Sequence, residues 1–225
     1  MEDKEHTVDI DTIFEKDYPA ITIEDGNNFK TTIHICKEIE GPEKFIEILS
    51  VINSAEEGDT IIFNLNTPGG RSDTTIMLLD ALDDCKALLI GKVSGEVASA
   101  GTMLLMAMDE IQVATWGNLM IHNYSQGMFG KGGEIAKRMK FEIPHLSKMY
   151  HSLYSDFLTE EEIDTVVNDG DIYCDKQDIL IRWSNVIKTR EALAKEHLDL
   201  EQEKYIEDLV TQAKNVLMEY GPVNK

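Results

Sequence analysis

Three short segments carry groups that could act together on a carbonyl carbon. Gly95-Glu96-Val97-Ala98-Ser99-Ala100-Gly101 sets one serine among small neighbours, after one apolar run and before another. A serine at such a strand-to-helix turn sits where unpaired backbone N–H groups and the positive end of the helix dipole face an approaching group. That suits a nucleophile whose reaction builds negative charge on a carbonyl oxygen. The plainer alternative is an N-cap serine in a tightly packed turn. Asn66-Thr67-Pro68-Gly69-Gly70 closes another apolar run. Its paired glycines let main-chain N–H groups come close to a ligand, as an oxyanion-hole donor must, although Pro-Gly is also an ordinary turn. Leu119-Met120-Ile121-His122-Asn123 ends a third run in a histidine. A lone histidine there is ordinarily a half-buried structural residue. Beside a serine hydroxyl, however, neutral imidazole is the natural base near pH 7. A carboxylate would then orient the ring, but among 42 Asp and Glu residues spacing alone selects none.

The elements around these segments alternate. Strand character is expected at Ala20-Ile21-Thr22-Ile23, before an Asp25-Gly26-Asn27-Asn28 turn, and at Thr31–Ile35. After Gly41-Pro42, the residues Phe45, Ile46, Leu49 and Ile52 recur at helical spacing. Thr60–Leu65 reads as a strand, Thr74–Leu82 as a helix, and Ala87–Val93 as a continuous apolar strand covered on both faces. Ser99–Met108 reads as an apolar helix, followed by short strands at Glu110–Ala114 and Leu119–Ile121. Residues 134–157 form a long helical pattern expected to break or kink near Pro144. Thr159-Glu160-Glu161-Glu162 is a capping-box sequence. A last helix is expected from about Thr189, with Ile206, Leu209, Val210, Ala213 and Leu217 on one face and Gly221-Pro222 ending it. Such alternation predicts an α/β fold with largely parallel strands.

The formal charge of −21 argues against general binding to nucleic acid or to anionic membranes, since both present phosphate to an acidic surface. No run of 18 apolar residues predicts a spanning helix. The acidic start Met1-Glu2-Asp3-Lys4-Glu5 lacks the pattern of a secretory signal. Cys36, Cys85 and Cys174, odd in number and widely spaced, read as reduced thiols, so a cytoplasmic location is expected.

Taken together, Asn66-x-Pro68-Gly69-Gly70, Gly95-x-x-Ala98-Ser99-x-Gly101, Met120-Ile121-His122 and Asp169-x-Asp171-x-Tyr173 resemble, in order and approximate spacing, the Clp protease proteolytic subunit family of ClpP-like serine peptidases. The resemblance covers about residues 31–187. It implies a ClpP/crotonase-type α/β fold of repeated β-β-α units with a helical handle. It implies Ser99 as nucleophile, His122 as general base and acid, and Asp171 as the carboxylate orienting His122. Asp169 is the rival; Asp171 is preferred because the family places its aspartate two residues before an aromatic, here Tyr173. The N–H groups of Gly69 and Ala100 would form the oxyanion hole. No cofactor is called for. Asp169, Asp171 and Asp175 only superficially resemble a calcium loop, because the glycine and terminal glutamate are misplaced, and no metal is expected. Relatives stack two rings, commonly heptameric, so the expected partners are further copies of the chain, peptide or unfolded-protein substrates, and an AAA+ unfoldase as an optional addition. The expected organisation is an acidic N-terminal segment over 1–30, a protease domain over 31–188 with its handle at about 125–158, and a C-terminal helical extension over 189–225.

The sequence also departs from the family pattern. Thr67 stands where serine is usual, Ala100 where methionine is usual, and Asn123-Tyr124 where Gln-Pro is usual. After Tyr173 the alignment loosens, with Trp183 near a usual glycine. The first 30 residues do not resemble axial pore loops, and the last 36 or so exceed the usual length. Three alternatives follow: a catalytically weak or inactive assembly subunit, a viral-type maturation protease for capsid or scaffold working without an ATPase, and an acyl-CoA enzyme of the related crotonase fold. The last is weakened by the scarcity of basic residues for CoA phosphates.

Overall fold

The structure, a computed structural model, describes residues 19–24 and 29–220. Seven strands form one sheet: β1 (Ala20–Glu24), β2 (Lys30–Ile35), β3 (Thr60–Thr67), β4 (Leu88–Ala98), β5 (Glu110–Val113), β6 (Asn118–Ile121) and β7 (Ile172–Cys174). Their order is β1-β2-β3-β4-β6-β7, with β5 also paired to β4. The ladders from β2 through β3 and β4 to β5 and β6 are parallel, whereas β1 and β7 pair antiparallel with β2 and β6. The mixed α/β class expected from the alternation is therefore the one observed. The expected turn at residues 25–28 lies outside the described residues, as does all of the acidic N-terminal segment before Pro19.

Helices connect the strands: α1 (Ile46–Ser54), preceded by a 3-10 turn at Pro42–Lys44, α2 (Ser72–Asp83), α3 (Ala100–Met106), α4 (Gly132–Tyr154), α5 (Glu160–Val167) and α6 (Lys176–Tyr220). Strand side chains alternate between faces. One row, Ile33 and Ile35 on β2, Ile61, Phe63 and Leu65 on β3, and Leu89, Val93 and Val97 on β4, is buried. It forms the core together with Ile48 and Ile52 of α1, Leu78 and Leu82 of α2, and the wholly buried α3.

Three expectations change. The apolar run at 87–93 belongs to a strand that alternates rather than one covered twice: Leu88 is 41% exposed and Lys92 and Ser94 face out. Helix α4 runs through Pro144 without the break that was one of the two expected outcomes there. The proline is exposed, so water can satisfy the carbonyl whose helical partner it lacks. The last helix begins at Lys176 rather than near 189, because the Asp175 carboxylate caps it, accepting from the N–H groups of Gln177 (2.8 Å) and Asp178 (3.0 Å). The capping box at Thr159 forms as expected, with both reciprocal bonds present.

By contacts the chain divides into two compact units, Met1–Arg182 and Trp183–Lys225. The first holds the sheet and helices α1 to α5. The second is the greater part of α6, where Leu193, Leu198, Leu200, Tyr205, Ile206 and Leu209 are exposed. Val210, Ala213 and Leu217 of the expected apolar face have side chains outside the described residues, and so does Gly221-Pro222. No described helix is long and apolar enough to cross a membrane.

Candidate active site

Strand β4 is long enough to pair with β5 along Ile90–Val93 and with β6 along Glu96–Ala98. Its carboxyl end therefore lies beside the end of β6. Ser99 follows β4, His122 follows β6, and Ser99 N donates to Met120 O at 2.8 Å. The turn after β3 arrives from the other side, where the β3–β4 register shifts between Leu65 and Thr67.

Ser99 has φ 52° and ψ −125°, positive-φ backbone in a residue that carries a Cβ. Its side chain makes no capping bond to α3. This removes the plain N-cap reading and leaves the hydroxyl for other work. The strained backbone is held on both sides of the residue. Besides the bond to Met120, Ser99 O accepts from Thr102 N at 2.9 Å and from Thr102 Oγ1 at 2.6 Å.

Gly69 packs directly on this turn. A Cβ built there would stand 2.7 Å from Ser99 Cβ and 2.9 Å from Ala100 N, and φ is +91°. Only glycine fits, for lack of room and for backbone conformation alike. Gly69 O accepts from Ile39 N at 2.7 Å, which ties the turn to the chain before α1. Gly69 N donates to Thr67 Oγ1 at 3.1 Å, and Thr67 Oγ1 donates to Lys37 O at 2.6 Å. Ala100 N has no hydrogen-bond partner among the described residues, as expected of a first-turn amide.

These parts face one open cleft of about 840 Å³, whose lining includes Gly69, Ser99, Ala100, Met103, His122 and Tyr150. His122 is half-buried, and its carbonyl accepts from Tyr150 Oη at 2.9 Å. Its ring makes no hydrogen bond among the described residues. Arg71 and Arg138 also line the cleft. Arg71 bonds Asp73 at 3.0 and 2.5 Å and holds its carboxyl below the usual range. Arg138 pairs with Glu142, whose carboxyl is lowered first by the Gln126 amide at 2.6 Å and then by Arg138.

Asp171 does not line the cleft. It is exposed and makes no hydrogen bond among the described residues. The antiparallel register of β6 and β7 pairs Leu119 with Cys174, Met120 with Tyr173 and Ile121 with Ile172. The ladder ends there, with His122 and Asp171 the next residue on each strand. Asp169, at φ 68°, instead accepts from Asn123 Nδ2 at 2.9 Å, and Asn123 also bonds Val167 O at 3.1 Å. The structure thus gathers Ser99, His122, Gly69 and Ala100 at one cleft and leaves Asp171 to its side. No hydrogen bond joins Ser99, His122 and Asp171 to one another among the described residues.

Sequence reasoning missed the groups that hold these main chains. Thr102 Oγ1 lies 2.7 Å from Tyr154 Oη, and the rings of Tyr150 and Tyr154 stack at 5.8 Å between centroids. Burial pushes the Tyr150 phenol up to about 12 and the wholly buried Tyr154 phenol higher still. The one signal available was the i, i+4 spacing of two tyrosines on a helix.

Among the described residues, no group of three or more His, Cys, Asp or Glu side chains is placed to hold a metal ion. Comparison with curated proteins gives no match. The Clp protease family profile matches residues 28–178, more than half of the chain and all of the cleft just described. The chain belongs to the Clp protease family.

Proposed function

We propose that this chain is a serine endopeptidase in which Ser99 is the nucleophile, His122 the general base and acid, and Asp171 the carboxylate that orients His122. The observation that carries the reading is Ser99 itself. Its backbone is held in a strained turn, its hydroxyl is free of capping, and it opens to the same cleft as His122.

Ser99 Oγ attacks a peptide carbonyl while His122 takes its proton. The new oxyanion is stabilised by the N–H groups of Ala100 and Gly69, the latter turning from Thr67 Oγ1 to the substrate. His122 then protonates the leaving amine, and a water activated by the same ring releases the acyl group. Asp171 adjoins the last β6–β7 pair, as His122 does on the other strand, and would reach its ring once the substrate orders the site. The fold reading follows the family: repeated β-β-α units, with α4 in the handle over about 125–158 and a helical extension over 189–225. Members of the family form oligomeric rings and partner with unfoldases. We extend the first property to this chain as a homo-oligomer, commonly of stacked heptamers, and leave the AAA+ unfoldase an optional partner. A cytoplasmic location accords with the free thiols.

Hydrolysis of a small peptide ester tests the reading. The wild type should turn it over, and both Ser99→Ala and His122→Ala should abolish turnover. A second reading, an assembly subunit without activity, is favoured by the exposed, unbonded Asp171. A folded wild type inert toward the ester would establish that reading instead.

A further inference from the structure

We propose that Tyr150 and Tyr154 of α4 are positioning residues for hydrolysis, fixing the main-chain carbonyls of His122 and Ser99 through hydroxyl hydrogen bonds. The inference rests on the assignment of Ser99 and His122 as the reacting pair. Two independent links leave one face of the helix. The first is direct: Tyr150 Oη donates to His122 O at 2.9 Å. The second passes through a threonine. Thr102 Oγ1 donates to Ser99 O at 2.6 Å, which uses its single proton, so the 2.7 Å contact with Tyr154 Oη must have the tyrosine as donor.

Spacing explains how one helix serves both sites. Residues four apart share a helix face, and the two rings stack at an interplanar angle of 20°. Both are buried, at 5% and 1% exposure. Phenylalanine would fill the same volume with no polar group to satisfy, and a buried hydroxyl is costly unless bonded. Each hydroxyl here is bonded, and each bond ends on or next to a residue assigned to the chemistry. The strain at Ser99 gives the second link a purpose. A positive-φ residue keeps its geometry only while its surroundings over-determine it, and Thr102, oriented by Tyr154, supplies two of the three bonds on the Ser99 main chain. The first link acts at the residue whose ring must meet the serine hydroxyl, where small misplacements are expensive in rate.

The test is the kcat and KM of peptide-ester hydrolysis for the full-length wild type, Tyr150→Phe, Tyr154→Phe, Thr102→Val and Thr102→Ser, each assayed well below its own melting temperature. Tyr150→Phe, Tyr154→Phe and Thr102→Val should lower kcat by about tenfold or more with KM nearly unchanged. Thr102→Ser, which keeps the hydroxyl, should recover most of the loss. Variants that melt earlier yet turn over at the wild-type kcat would show merely structural hydroxyls and overturn the proposal. If one tyrosine variant does not fold, the other decides the matter, with the Thr102 pair showing whether the Ser99 link carries the effect. A wild type that is inert, or whose turnover survives Ser99→Ala, would instead defeat the assignment of the reacting pair, and this inference with it.

Discussion

In the proposed mechanism Ser99 is the point at which backbone conformation and chemistry meet. Holding a non-glycine residue at φ 52° costs about 1–3 kcal/mol, which the surrounding hydrogen bonds must offset. The cost is understandable if the turn aims Oγ at a substrate. In that mechanism two aspartates compete for the role of orienting the base. Asp169 is occupied by Asn123, whereas Asp171 directly precedes β7, whose last pair with β6 joins Ile172 to Ile121, the residue before His122. Asp171→Asn should therefore lower kcat by roughly 10²-fold or more, and Asp169→Asn by much less. The opposite ranking in peptide-ester kinetics would transfer the role to Asp169. Ser99 and Gly69 were legible in the sequence because small residues and glycines mark turns locally, and His122 because it ends a short apolar run. Thr102, Tyr150 and Tyr154 were not, since a hydroxyl bond between residues 52 positions apart leaves no local pattern.

Among the elements, α5 is held at its start by linked hydrogen bonds. Glu162 closes the capping box with Thr159 and also receives both terminal nitrogens of Arg182, in the first turns of α6, at 2.7 Å each. The Arg182 guanidinium holds the Glu162 carboxyl down to about 2. A carboxylate depressed in the folded state contributes stability that is complete above its ordinary pKa of 4.5 and lost as pH falls through about 2. Urea unfolding of Arg182→Met should show lower stability than the wild type at neutral pH, with the difference closing as pH falls from about 4.5 toward about 2. A difference that stays constant over that window would contradict the assignment. The capping box was readable from Thr159 and Glu162, but Arg182, 20 residues further on, was not. Other elements were legible in kind more than in extent. The apolar run at 87–93 announced a strand without saying which face the helices cover. Asp175, singled out in the sequence only for its superficial part in a calcium-loop pattern, is the cap of α6, accepting from two amides.

For the molecule as a whole, four short motifs in order revealed the family before any fold was known, and the profile match over residues 28–178 bears this out. Ring size, substrate and any unfoldase contact were not legible, because they depend on surfaces formed by residues far apart in sequence. The charge of −21 bears on assembly, since like-charged subunits repel at low ionic strength. Higher salt should therefore favour the assembled form in native mass spectrometry. The same instrument offers the most direct test of the reacting serine, on protein treated with a fluorophosphonate. The expected result is a homo-oligomer carrying one adduct per subunit, mapped to Ser99 and absent in Ser99→Ala. A folded wild type that stays unmodified, or an adduct on another residue, would contradict the assignment of Ser99.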